Sequence, residues 1–151
     1  MTESTPSAQE ARVEVEVRYA ETDQMGVVHH AVYPIWFELA RTRLCEATGY
    51  HYSEIEKLGY RLMVTGIDIA YRRPARYGDT VEIRCRIARL GSRGLRFDYD
   101  ILRGRDRLAR GSTEHVWLEV DNNKVCRLPR PLAEPFRRVA GQDGTVSGVD
   151  P

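Results

Sequence analysis

The run Tyr19-Ala20-Glu21-Thr22-Asp23-Gln24-Met25-Gly26-Val27-Val28-His29-His30-Ala31-Val32-Tyr33 gathers a carboxylate, two imidazoles, two phenols and a glycine. A carboxylate such as Asp23 attacks an electrophilic carbonyl directly or takes a proton from water, and an imidazole such as His30 positions or protonates a reacting group. Plainer roles suit the same residues. Asp23 readily forms an Asx-turn, with Gly26 supplying a permissive backbone. His30 at a helix start can simply bond the backbone, and His29, its neighbour, is expected to point elsewhere, toward surface or interface. Adjacent histidines at a helix start do not converge on one ion as an i, i+4 pair would, so no metal site is expected. The chain offers no better Ser-His-Asp or Cys-His nucleophile arrangement.

The elements that must hold this run are legible on either side. Val13, Val15, Val17 and Tyr19 alternate with Glu14, Glu16 and Arg18, the pattern of a half-buried strand. From Ala31 to Thr48 the apolar residues Val32, Ile35, Trp36, Leu39, Ala40, Leu44 and Ala47 recur at helical spacing, with Trp36 and Leu39 expected in the core. Gly49 is placed to end that helix. Ser53 with Glu56 three residues later predicts a capping box and a short second helix closed by Gly59.

Four strands follow in the sequence pattern: Met63 to Arg73, Val81 to Ile87, Leu95 to Ile101 and Leu108 to Val120. Their joints carry good turn chemistry. A meander of hairpins predicts an antiparallel sheet, ended by Asp121-Asn122-Asn123, that buries one long helix. The Pro-rich segment 128–135 reads as an extended arm. The predicted organisation is α+β: a disordered N-terminus (1–11), one domain (12–138) and a disordered tail (139–151).

Composition sets bounds. A chain of 151 residues with 42% hydrophobic residues suits one ordinary core. The formal charge of +1 supplies no field for nucleic acid. Lys57 and Lys124 are the only lysines among the basic residues, and the rest are arginines, whose planar forks suit phosphates. Cys45, Cys85 and Cys126 are odd in number and widely spaced, so neither disulfides nor zinc is indicated. Met1 to Glu10 is polar and no apolar run spans a bilayer, which predicts a reduced cytoplasmic compartment and no membrane insertion.

Taken together, Tyr19-x-x-Thr22-Asp23-x-x-Gly26-Val27-Val28-x-His30-Ala31-x-Tyr33, then Phe37-Glu38-x-Ala40-Arg41, closely resembles the hotdog-fold 4-hydroxybenzoyl-CoA thioesterase family. Within it the likeness is closest to the bacterial acyl-CoA thioesterases associated with the Tol–Pal envelope system. Tyr71-x-x-Pro74-Ala75-Arg76-x-x-Asp79 supports it, and the likeness runs from Val13 to Pro131. It implies a hotdog fold, about five antiparallel strands around one long helix. It also implies a homodimer or tetramer with sites between subunits, and acyl-CoA hydrolysis without metal or other cofactor. Residue by residue it implies that Asp23 is catalytic and that His30 and Tyr19 assist. Met25 and His29 depart from the pattern, and both bear on which acyl group is taken.

Other positions stay open between two roles. An oxyanion needs preorganised donors, either amides of the helix N-terminus or partner amides around Met63 and Val64, the second favoured by the resemblance. Glu38 and Arg41, spaced i, i+3, are a structural ion pair or a solvated face, or Glu38 borders the active site. Arg89, Ser92 and Arg93 around the Gly91–Gly94 hairpin are plain surface or, as in resembling thioesterases, a clamp for CoA phosphates. Arg72, Arg73 and Arg76 form a second possible cluster. A non-catalytic acyl-CoA or acyl-carrier-protein binding module is the alternative function. A hotdog dehydratase is the third, disfavoured by the lack of a second acid/base pair.

Overall fold

The computed structural model describes residues 9–141. The expected disorder at 1–8 and 142–151 lies outside them. The element order is β1 (Ala11–Glu16), 3-10 turns at Tyr19–Glu21 and His30–Val32, α1 (Tyr33–Glu46), α2 (Tyr52–Lys57), β2 (Tyr60–Tyr71), β3 (Thr80–Leu90), β4 (Gly94–Arg103), β5 (Asp106–Glu119), β6 (Val125–Cys126) and α3 (Arg130–Val139). This is the expected α+β arrangement, an antiparallel sheet with the long helix packed on it. The ordered chain reaches further than expected at both ends, into β1 at Ala11 and past Val139 to a buried Ala140.

Strand pairing departs from a simple meander. The sheet order is β1-β3-β4-β5-β2, with β6 also on β5. Only β3, β4 and β5 form the hairpin series. β2 pairs with β5 from Tyr60↔Glu119 to Tyr71↔Ala109 and so forms the far edge. Residues 72–79, which include the joint Pro74 to Asp79 read in sequence as a turn, instead cross the sheet end to reach β3. They lie against the segment that follows β1: Gly78 N donates to Val17 O, Val17 N to Asp79 O, and Val28 N to Ala75 O. That crossover is the seat of the Asp23 loop.

α1 buries Tyr33, Trp36, Phe37, Ala40, Leu44 and Cys45. Phe37 stacks on Tyr99 with ring centroids 4.1 Å apart and planes 9° apart. Gly111 permits this approach, since a Cβ there would sit 2.6 Å from Asp68 O and 2.8 Å from the Phe37 ring. Leu39, expected in the core with Trp36, is 46% exposed. Neighbouring i, i+3 and i, i+4 positions already fill the narrower stripe that faces the sheet. Cys45 and Cys85 are free and buried, and burial pushes the Cys45 thiol up to about 12.

Three further expectations are corrected. The capping box of α2 is His51 with Glu54, whose carboxylate accepts from His51 N, rather than Ser53 with Glu56. The sheet does not end at Asp121-Asn122-Asn123. β4 begins at Gly94, opposite Val116, and beyond the Trp117 N to Arg93 O bond β6 continues that side of β5, pairing Trp117 with Cys126 and Leu118 with Val125. The segment 128–135 is largely helical. Pro131 falls in the first turn of α3, where amides lack intrahelical partners anyway. Only Pro135 costs an interior bond. Leu132, Phe136 and Val139 offset it by burial, Phe136 standing edge-on to Trp117. Arg138 donates to the carbonyls of Ala47 and Thr48 just beyond α1.

Candidate active site

The Asp23 loop is tied at its base and tight at its tip. Asp23 N donates to Val27 O and Gly26 N to Asp23 O, while Gly26 takes φ 77°. Asp23 Oδ1 accepts from Met25 N at 2.8 Å, so the Asx-turn is real. It occupies one carboxylate oxygen. No hydrogen bond reaches Oδ2 among the described residues, and the side chain is half-buried. The turn thus aims the carboxylate without consuming it.

Glu21 fixes the base of the loop. It is a buried acid whose carboxylate accepts from Arg18 N at 2.8 Å, Trp36 Nε1 at 3.2 Å and Arg18 Nη2 at 3.4 Å. Its carbonyl accepts from His29 N at 2.8 Å. Burial pulls the Glu21 pKa upward, but the Arg18 amide and guanidinium and the Trp36 indole more than offset it and hold it below the usual carboxylate value. One side chain therefore joins the segment that follows β1, the loop and α1. The sequence displays Glu21 inside the motif, but nothing in its spacing marks it as buried.

His29 caps the second 3-10 turn, with Nδ1 accepting from Ala31 N. It does not point away from His30. The two rings stack with centroids 4.3 Å apart. The imidazole of His30 is exposed and has no hydrogen bond among the described residues, while its carbonyl accepts from the Tyr71 hydroxyl at 2.8 Å. Tyr71, the last residue of β2, also stands edge-on to Tyr33. It was visible only as the first residue of the second motif. His30, Tyr33, Tyr71, Val27 and Arg73 border a cleft of about 260 Å³. Tyr19 is exposed, edge-on to Tyr77.

The remaining candidates lie elsewhere. Val64 pairs with His115 and Gly94 with Val116, so Val64, Arg89, Ser92 and Arg93 cluster at one end of the sheet. The Asp23 loop sits at the other, beyond Tyr71. Seven strand residues separate Val64 from Tyr71, about 23 Å. Arg89 is ion-paired to Glu114 at 2.7 Å, so its charge is already compensated. The backbone carbonyl of Ser92 accepts from Leu128 N and that of Arg93 from Trp117 N. Arg73 pairs with Asp106 on the surface, and Arg76 with Asp79 and Arg103 shapes the crossover.

Glu38 is exposed on α1 and makes no ion pair within 4 Å with Arg41. Both line a cavity of about 170 Å³ with Thr42, Cys45, Tyr52 and Leu62. Arg41 Nη1 donates to the Tyr99 hydroxyl at 3.5 Å, Tyr99 Oη meets Thr113 Oγ1 at 2.6 Å, and Thr113 Oγ1 meets His115 Nε2 at 2.8 Å. Burial, with Arg41 close by, pushes the His115 pKa down to about 3, so this ring stays neutral. No such chain is readable in sequence, since its members come from α1, β4 and β5.

Among the described residues no helix is long and apolar enough to cross a membrane. The thioesterase-like superfamily model matches residues 17–136. The chain is 36% identical to YneP of Bacillus subtilis, over 82% of this chain and 91% of that one. It is 32% identical to the acyl-CoA thioester hydrolase YbgC of Escherichia coli O157:H7, over 82% and 93%. The crystal structure of the DHNA-CoA thioesterase of Staphylococcus aureus superposes with a TM-score of 0.83 at 28% identity, covering 93% of this chain and 99% of that one. The sheet wrapped on one helix is thus the hotdog fold, and this chain belongs to the thioesterase-like superfamily.

Proposed function

We propose that this chain hydrolyses acyl-CoA thioesters in the cytoplasm, at sites shared between two subunits, with Asp23 as nucleophile or general base. The observation that carries the reading is the Asx-turn that holds one Asp23 oxygen and leaves the other open among the described residues. As nucleophile, the carboxylate attacks the thioester carbonyl, the C–S bond breaks, CoA leaves as thiolate and water then cleaves the mixed anhydride. As base, it takes a proton from the water that attacks. His30 is placed to position that water or protonate the thiolate, and Tyr19 to flank the entrance.

The separation of the two residue groups supports a shared site. β2 is a twelve-residue edge strand that exposes Met63, Val64, Ile67 and Tyr71. An open apolar edge of this length is a pairing surface. A two-fold axis across it runs a second copy antiparallel, so that the Val64 end of the copy approaches the Asp23 loop. The same operation carries Ser92 and Arg93 toward the loop as a clamp for CoA phosphates. Ala31 N and Val32 N already bond to His29, which favours the Met63–Val64 segment as oxyanion donor. A dimer, or a dimer of dimers, follows. An acyl-binding module without turnover needs no open carboxylate at this position.

The test is a panel of acyl-CoA esters with free-thiol detection and no added metal. The wild type releases thiol from at least one, and Asp23→Asn retains the fold but loses at least ~100-fold in kcat. Near-native turnover by the Asn variant would remove Asp23 from the chemistry.

A further inference from the structure

The cavity between α1, α2 and the start of β2 has one unusual wall. Arg41 is half-buried, and among the described residues its side chain makes one hydrogen bond, the 3.5 Å contact to a neutral phenol. No carboxylate lies within 4 Å of it among the described residues. It carries five donors, so most of its capacity is unspent. Glu38 borders the same cavity with an acceptor-only carboxylate that does not reach Arg41. The pair offers a donor and an acceptor that do not satisfy each other.

The helix that begins just after the His30 turn also lines this cavity. Ile35, Glu38, Thr42 and Cys45 follow spacings of three, four and three, and share one face of α1. Ile35 on this face is 55% exposed and lies on α1 between the His30 turn and the cavity residues. Arg41 lies eight residues beyond Tyr33, about 12 Å along the axis. Its side chain leans back toward the helix start, which shortens the span. A medium-length acyl chain covers that distance.

We propose that this cavity receives the far end of the acyl group, and that Glu38 and Arg41 together select an end that carries a hydroxyl. The proposal rests on the thioester-hydrolase reading above. A hydroxyl accepts from Arg41 and donates to Glu38 at once. A methyl end strips water from the guanidinium and returns no bond. A carboxylate end pairs with Arg41 but meets the like charge of Glu38.

The experiment compares kcat/KM for ω-hydroxydecanoyl-CoA, decanoyl-CoA and the mono-CoA thioester of decanedioic acid, in wild type, Arg41→Leu and Glu38→Leu. The wild type prefers the hydroxy substrate over the plain one by at least ~10-fold, the scale of a hydrogen bond to a charged group. Both substitutions bring that ratio toward one. Each ratio is taken within one enzyme, so a general loss cancels. Glu38 is exposed, so its variant decides the matter if Arg41→Leu does not fold. Thermal stabilisation by free ω-hydroxydecanoate against decanoate reads the same cavity without turnover, and the hydroxy acid stabilises more. A wild-type ratio of one or less, a preferred diacid, or ratios unchanged in the variants overturns the proposal. If no thioester is cleaved, the hydrolase reading fails, and the free acids alone decide the cavity's preference.

Discussion

Glu21→Gln isolates the residue that ties the reactive loop to the scaffold. The carboxylate now serves Arg18 N through one oxygen and the Trp36 indole and Arg18 guanidinium through the other. Glutamine keeps one acceptor and turns an amide NH2 toward a remaining donor. Arg18 is exposed on the surface, so its ion pair adds little. The main loss is one bond of a buried donor to a charged acceptor, about 2 kcal/mol. For a chain of this size that lowers Tm by roughly 4–8 °C. The acid limb is diagnostic. Because the folded pKa of Glu21 lies below its unfolded value, its stabilisation is full above the unfolded value and is lost as pH falls through the folded one. Gln removes that part of the slope, so wild type and variant converge in Tm toward acid. Differential scanning calorimetry between neutral and acid pH measures both. Loss of loop geometry also lowers kcat more than it raises KM. An unchanged Tm and an identical acid slope would refute the anchoring role.

Three other outcomes follow from the site. His30→Ala lowers kcat more than it raises KM in steady-state assays, whereas a change in KM alone would make the imidazole a binding group. Arg93→Ala raises KM for acyl-CoA with kcat near native and leaves an acyl-pantetheine substrate almost untouched, an effect that shrinks with added salt. Ile67→Lys puts a charge on the exposed face of the β2 edge, and sedimentation at micromolar concentration then shows monomer and activity falls, while a fully active monomer would contradict the shared site.

The local patterns were legible because they record local physics. Alternation marked β1 and the central strands, and Gly49 and Gly59 marked helix ends by the positive φ they adopt. The placement of β2 was not legible, since a crossover and a hairpin share the same turn residues in Pro74-Ala75-Arg76-Tyr77-Gly78-Asp79. α3 was hidden by three prolines, two of which occupy positions where a helix loses nothing. At the site, the Thr22-Asp23-x-x-Gly26 pattern disclosed the Asx-turn directly. The burial of Glu21, the Tyr71 contact and the Arg41–Tyr99–Thr113–His115 chain depend on residues far apart in sequence, and one-dimensional spacing cannot show them.

The late closure of the sheet by β6 and α3 sets an order on synthesis. Val13 must wait for Ile83, and Tyr60 for Glu119, before either edge of the sheet is paired. Even then Trp117 and the end of α1 stay uncovered until Phe136 and Arg138 have left the ribosome. A nascent chain halted before α3 therefore presents a wet indole and unpaired carbonyls to the cell, a natural substrate for chaperones. Acquisition of the native state waits on α3, and is slow for a chain so rich in distant pairings.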